Sequence, residues 1–282
     1  MNRITAQTRI AGVVGHPVGH SLSPVIHNAW IEAAGLDAVY LAFAPPEAGF
    51  EALVNGLRDQ VALGLNVTIP FKERAAALAD RRTAAVERAG AANLLVFEPD
   101  GGVTADNTDG IGLMGALSEA GGLAILSPVV VLGAGGAARG AVLSLLDSGV
   151  SAIRLVNRSR ERAEAIAVLD ARVMVMGWDE AGDALDGVSA VINATSLGMT
   201  GQPPLELILD RAPPTAVVMD MVYRPLKTRL LKAAERRGHP TADGLSMLIA
   251  QARPSFEAFF GRPPPADLDV RALCEQVLGQ AR

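Results

Sequence analysis

Short apolar runs alternate with amphipathic stretches along nearly the whole chain, and this alternation predicts an α/β protein. In the first half, Arg9–Gly15, Val39–Ala44 and Ala62–Val67 read as strands, and Ser23–Ala34 and Glu47–Arg58 as helices. Runs without polar alternation suit strands covered on both faces, so the sheet is expected to be mostly parallel. Ser23 can cap the first helix, with Pro24 at its first position. Thr68–Lys72 forms the exit of the third strand, and helical pattern continues from there to about Ala89. Asn93–Phe97 and Gly102–Ala105 flank Glu98-Pro99-Asp100-Gly101, the residues of a hairpin turn. A helix then starts within Asn107-Thr108-Asp109-Gly110, runs to about Ala120, and is closed by Gly121-Gly122.

From Pro128 the alternation resumes, with strands expected at 129–132, 152–156, 172–175, 189–193 and 216–220 and helices between them. This is the pattern of a doubly wound nucleotide domain. Helices over Gly244–Phe260 and Leu268–Leu278 complete the chain, the second following Pro263-Pro264-Pro265. The reading is two domains: residues 1–107 plus about 245–282 form an α/β domain for substrate and catalysis, and 108–244 a Rossmann-like domain. The helix after Asn107 would bridge them, with the active-site cleft between.

Composition narrows the function without naming it. A chain of 282 residues, half of them hydrophobic, can bury two cores, yet it has no apolar run long enough to span a bilayer. The first residues carry no signal-peptide pattern. Cys274 is the only cysteine, which excludes an internal disulfide and fits a cytoplasmic location. A net charge of −5 argues against nucleic acid as the main partner. The expected partner is a small-molecule substrate, without nucleic acid or membrane, for a monomer or homodimer. Among 25 basic residues only Lys72, Lys227 and Lys232 are lysines, and lysine, unlike arginine, can be tuned to exchange protons.

Gly133, Gly135 and Ala138 fall at the spacing of the G-x-G-x-x-G/A turn, directly after the apolar run Val129–Leu132. In such a turn the first glycine permits the tight bend and the second lets backbone approach a pyrophosphate at the helix N-terminus. After the next strand, where a fold that binds NAD usually carries Asp or Glu, the chain has Asn157-Arg158-Ser159, followed by Arg162. An acidic side chain would repel a 2′-phosphate, whereas a guanidinium binds it, so the cofactor implied is NADP.

Reducing a carbonyl creates an alkoxide that needs an acid nearby. Lys72, at a strand exit, and Asp109, at a helix start where the dipole favours a carboxylate, would make a workable pair. The plainer possibility is that Lys72 opens a solvated helix face and Asp109 is a helix-start carboxylate. Ser21 and Ser23 have a plain reading too, as a turn residue and a cap. His16, His20 and His27 match no ligand spacing and are read as loop and helix-surface residues, so no metal is expected.

Eight blocks carry a resemblance: Gly19–Pro24 with His27-Asn28, Asn66–Lys72, Gly90–Asn93, Asp106–Gly110, Gly133–Arg139, Asn157–Ser159, Asn193–Met199 and Ala242–Gly244. Together and in this order the chain resembles the shikimate dehydrogenase family from residue 12 to about 261. The resemblance implies NADPH-dependent reduction of 3-dehydroshikimate to shikimate. It implies Lys72 as proton donor and acceptor with Asp109 beside it, both also contacting substrate. Ser21, Ser23 and Tyr223 would hold the substrate carboxylate, and Thr68, Asn93 and Gln251 its ring hydroxyls. Gly133, Ala134, Gly135, Gly136 and Ala137 would cradle the pyrophosphate, with Asn157, Arg158, Ser159 and Arg162 around the 2′-phosphate and Met221 and Gly244 near the nicotinamide. Some relatives have an acidic residue that contacts the cofactor where this chain has Ala84, and Leu226 stands where a small residue is common. The alternatives are a quinate/shikimate or aminoshikimate dehydrogenase on the same scaffold, or a catalytically silent binding protein. Asn157-Arg158 and, less firmly, Ser23 in place of Thr argue for shikimate with NADP.

Overall fold

The computed structural model describes residues 4–58 and 62–280. Met1–Arg3 of the segment read as free of a signal pattern, and the last two residues of the expected 245–282 segment, lie outside them. The chain divides into two compact units, Met1–Thr108 with Gln251–Arg282, and Asp109–Ala250. The second unit takes in the first turns of the helix that follows residue 243.

The first unit contains β1 (Arg9–Val14), α1 (Ser23–Ala33), β2 (Ala38–Phe43), α2 (Phe50–Arg58), β3 (Ala62–Val67), α3 (Lys72–Leu78), β4 (Arg81–Arg82), α4 (Ala84–Ala89), β5 (Leu94–Phe97) and β6 (Val103–Asp106). A turn of 3₁₀ helix, Glu47–Gly49, precedes α2 where a single helix was expected. The sheet order is β2-β1-β3-β5-β6-β4. β1 runs parallel to β2 and β3, whereas β5 pairs antiparallel with both β3 and β6, so the sheet is mixed. Phe50, Phe71, Leu65 and Leu95 anchor its core, with Phe50 and Phe71 stacked at 4.6 Å.

The second unit begins at α5 (Asp109–Glu119) and continues through β7 (Val129–Leu132), α6 (Gly136–Asp147), β8 (Ile153–Val156), α7 (Arg160–Ala167), β9 (Val173–Met176), β10 (Ala190–Asn193), β11 (Val217–Asp220), α8 (Arg229–Arg236) and β12 (Thr241–Asp243). Its six parallel strands are ordered β12-β11-β10-β7-β8-β9, the doubly wound order that reverses between β7 and β10. Alternate side chains face opposite layers: Val129, Val131, Ile153 and Leu155 pack with Leu113, Leu117 and Leu145, whereas Val130, Leu132 and Val191 pack with Leu185, Leu209 and Leu230. The expected bridging helix, α5, is therefore part of the second unit's core. A Cβ on Gly110 would meet Ser144 Oγ at 2.5 Å, so glycine lets α5 lie against α6.

Two expected helices are absent. Between β9 and β10 the chain makes only 3₁₀ turns, Trp178–Glu180 and Asp183–Leu185. Between β10 and β11 there is no helix, because Pro203, Pro204, Pro213 and Pro214 break any helical pattern there. The short β12 was not read from the sequence. The tail forms α9 (Gly244–Phe260) and α10 (Val270–Gln280).

Candidate active site

In the second unit the glycine turn lies at the point where strand order reverses, the usual position of a ligand in such sheets. Gly133 has φ +107°, and a Cβ there would stand 2.9 Å from Thr195 Cγ2, so the fold itself demands glycine. Ala138 is fully buried and seats α6 on the sheet. Gly135 and Gly136 differ: a Cβ on either meets no protein atom within 4 Å. Neither has a positive φ. Both are exposed together with Ala137, while Ala134 is half-buried. Glycine at 135 and 136 is thus not required by packing, and the space its missing side chains leave fits a pyrophosphate. The N-terminus of α6 has no side-chain cap, which suits an incoming phosphate.

At the end of β8, Asn157 Nδ2 donates to Ser159 O at 2.8 Å, which fixes the bend that leads into α7. Ser159 is the cap of α7, its Oγ accepting from Arg162 N at 3.4 Å. Arg158 and Arg162 are both exposed. The loop presents Arg158 to solvent, with Arg162 in the first turn of α7 and no carboxylate at residues 157–160, a donor set that fits a 2′-phosphate. Met221 and Gly244 come together: a Cβ on Gly244 would stand 2.2 Å from Met221 O, so only glycine admits this approach. Tyr223 follows two residues later and is half-buried.

In the first unit the backbone N–H of Ser23 donates to Ser21 Oγ at 3.2 Å. Ser23 does not cap α1, as expected from sequence; it is the first helical residue, Leu22 is the cap, and no side chain caps the end. Thr68 N donates to Val14 O at 2.9 Å, placing Thr68 against Gly15. Lys72 opens α3, and its carbonyl accepts from Ala92 N at 2.9 Å, which holds it beside Asn93 and the start of β5.

Asn93, buried, is the hub of this unit's polar groups. Its Nδ2 donates to Gln251 Oε1 at 3.1 Å and to Thr108 Oγ at 3.0 Å, and its Oδ1 accepts from Thr108 N at 2.8 Å. Asn66 extends the network: it accepts from the Tyr40 hydroxyl at 2.7 Å and donates to Ser255 Oγ at 2.8 Å and Asn93 O at 3.2 Å. Burial raises the Tyr40 phenol well above its ordinary pKa, opposed by a hydrogen bond with Ser23. Tyr40, Asn66 and Thr108 were not singled out as site residues from the sequence. Asn66 and Thr108 stand inside quoted motifs, whereas Tyr40 lies in an ordinary apolar run.

The expectation of surface histidines fails for His27. It is fully buried, stacked on Tyr40 at 4.1 Å, with neither ring nitrogen hydrogen-bonded. Burial lowers its pKa from 6.5 to about 3. Among the described residues no cluster of three or more His, Cys, Asp or Glu could hold a metal ion, and no helix is long and apolar enough to cross a membrane.

These features define a class: an α/β protein with a doubly wound, dinucleotide-type unit joined to a mixed-sheet unit that gathers hydroxyl and amide side chains. Three family models match the chain: the shikimate dehydrogenase substrate binding domain at residues 13–95, shikimate / quinate 5-dehydrogenase at 122–200, and the shikimate 5′-dehydrogenase C-terminal domain at 244–274. A shikimate dehydrogenase (NADP(+)) of Caulobacter vibrioides is 52% identical over 282 residues, 99% of each chain. A crystal structure of a shikimate dehydrogenase in complex with NADP+ matches with TM-score 0.89 and 35% identity, covering 98% of both chains. A Thermus thermophilus shikimate 5-dehydrogenase in complex with NADP(H) and shikimate matches with TM-score 0.84 and 31% identity, covering 97% of this chain and 100% of that one. The chain belongs to the shikimate dehydrogenase family.

Proposed function

We propose that this protein is an NADP-dependent shikimate dehydrogenase that interconverts 3-dehydroshikimate and shikimate. The unit of residues 1–108 and 251–282 would supply most substrate contacts, and the unit of 109–250 would bind the cofactor and add Asp109 and Tyr223. The observation that carries the reading is the pair Gly135 and Gly136, glycines that this fold does not need but a bound dinucleotide does. Gly133–Ala137 would hold its pyrophosphate, Asn157, Arg158, Ser159 and Arg162 its 2′-phosphate, and Met221 and Gly244 its nicotinamide end. When bound, NADPH supplies the hydride.

The chain's own residues bind, orient and move the proton. Lys72 gives a proton to the substrate's 3-oxygen in reduction and takes it back in oxidation, and Asp109 holds the same hydroxyl in place. Ser21, Ser23 and Tyr223 bind the carboxylate through neutral hydroxyl donors. Thr68, Asn93 and Gln251 bind the ring hydroxyls. Asn93 donates to Thr108 and Gln251 and accepts from Thr108, which fixes its amide in place. Gln251 uses its Oε1 on Asn93, which leaves its amide nitrogen to donate. The single, buried Cys274 suits a reducing, cytoplasmic setting.

Steady-state rates with shikimate and quinate, each with NADP and NAD, test the assignment. Fastest turnover with shikimate and NADP is expected. Preferred quinate with NAD, or nucleotide binding without turnover of either substrate, would overturn it.

A further inference from the structure

Asp220, the last residue of β11, is a fully buried carboxylate whose three partners are all neutral. Its Oδ2 accepts from the Thr228 hydroxyl at 2.7 Å, and its Oδ1 from Val222 N at 3.1 Å and Asn193 Nδ2 at 2.9 Å. A buried carboxylate without a cation is costly unless donors converge on it, and one so placed calls for a reason. Asn193 ends β10 and is itself fully buried. Its amide nitrogen also donates to Leu197 O at 3.1 Å, and its Oδ1 accepts from the backbone N–H of Thr195 at 3.0 Å and the Thr195 hydroxyl at 2.7 Å. The orientation of the Asn193 amide is thus fixed on both sides, and it can only donate to Asp220. Thr228, in turn, caps α8 by accepting from Leu231 N at 3.3 Å, so its hydroxyl hydrogen is directed to Asp220.

The carboxylate therefore joins three pieces at the carboxyl edge of the sheet: the loop after β10, the segment after β11, and the start of α8. The segment between them is residues 221–228. Its first two backbone N–H groups are both held, Met221 N by Asn193 O at 3.1 Å and Val222 N by Asp220. Tyr223 is the next residue. Further along, Arg224 O accepts from Thr200 N at 2.8 Å, which ties the same segment to the loop after β10 a second time.

We infer that Asp220 is a positioning residue: with Asn193 and Thr228 it clasps the 221–228 segment and so sets where Tyr223 presents its hydroxyl to the substrate carboxylate. The assignment of Tyr223 to the substrate rests on the function proposed above; the clasp does not. The phosphates of the cofactor would be held elsewhere, at Gly133–Ala137 and Arg158, and Met221, assigned to the nicotinamide end, keeps its own backbone bond to Asn193 O, which does not involve the Asp220 carboxylate. A loosened clasp should accordingly cost shikimate more than it costs NADP.

The test is Thr228→Val, which keeps the shape and removes the donor, with Thr228→Ser restoring it and Asp220→Asn as a second perturbation. In Thr228→Val the KM for shikimate should rise about tenfold, as expected for one lost hydrogen bond. KM for NADP and kcat should stay within about threefold, and Thr228→Ser should return to wild type. Hydrogen exchange should quicken at residues 221–226 in both Thr228→Val and Asp220→Asn while residues 129–132 keep their protection. An unchanged KM for shikimate, or equal rises in both KM values with no rescue by serine, would overturn the positioning role, and unchanged exchange would overturn the clasp. If the wild-type protein does not turn over shikimate, the functional proposal fails, and the exchange measurement still decides the clasp by itself.

Discussion

Asn93 and Gln251, 158 positions apart in the chain, are joined by a hydrogen bond of 3.1 Å from Nδ2 to Oε1. The bond sets the direction of the Gln251 amide. Gln251→Ala should raise the KM for shikimate about tenfold, the usual value of one neutral hydrogen bond, and leave KM for NADP near wild type. Asn93→Ala should cost more, because it also strips Thr108 of its partners. Steady-state kinetics on both variants, with the order of the two effects as the criterion, decide this.

Lys72→Ala should lower turnover by roughly 10²–10⁴-fold, the range for general acid–base help, with shikimate binding comparatively intact. Single-turnover rates and equilibrium binding of shikimate separate the two. A variant with near-normal turnover would remove Lys72 from the proton-transfer role.

Arg158→Ala should weaken NADP by roughly 10–100-fold, the worth of a charge-assisted hydrogen bond, and leave NAD almost unaffected. Arg158→Asp should go further and narrow or reverse the preference, since a carboxylate repels the 2′-phosphate but can accept from a free 2′-hydroxyl. The ratio of kcat/KM for the two cofactors is the measurement.

Much of this was legible in the sequence because the signals are local. Glycine spacing after an apolar run locates the turn that opens α6, and the absence of an acidic residue at 157–160 can be read within a few residues. The hydrogen-bonded set around Asn93 was not legible as a network, since its members come from residues 40, 66, 93, 108, 251 and 255 and meet only through the folding of the sheet and α9. His27 was misread for the same reason. An isolated histidine beside a loop looks solvated, and only tertiary packing against Trp30, Tyr40 and Phe256 buries it. The stretch between β10 and β11 failed by analogy: alternation implied a helix, but its prolines already argued against one.

His27 gives a pH dependence with a definite sign. Its folded pKa is depressed from 6.5 to about 3. Below about pH 6.5 the unfolded chain takes up a proton that the folded chain refuses, so its stabilising contribution is complete above that pH and is lost as pH falls. The loss should amount to about 2 kcal/mol between pH 7 and pH 5. His27→Phe keeps a flat ring against Tyr40 but cannot titrate. The difference in unfolding free energy between wild type and variant should change by that amount over the interval; a constant difference would mean that His27 is protonated or solvated in the fold.

The two glycines of the nucleotide turn separate folding from binding. Gly133→Ala places a side chain at φ +107° and drives it into Thr195, so it should destabilise the protein by about 1–3 kcal/mol. At Gly135, φ is −95° and a Cβ meets no protein atom within 4 Å. Gly135→Ala should therefore fold as well as wild type, with a gain of up to ~1 kcal/mol from the stiffer unfolded chain. Its methyl group nevertheless enters the space assigned to the pyrophosphate, so KM for NADP should rise at least tenfold with the melting temperature unchanged or higher. Thermal melts of both variants, paired with NADPH titration, supply the contrast. If Gly135→Ala binds NADPH like wild type, the pyrophosphate does not lie over residue 135.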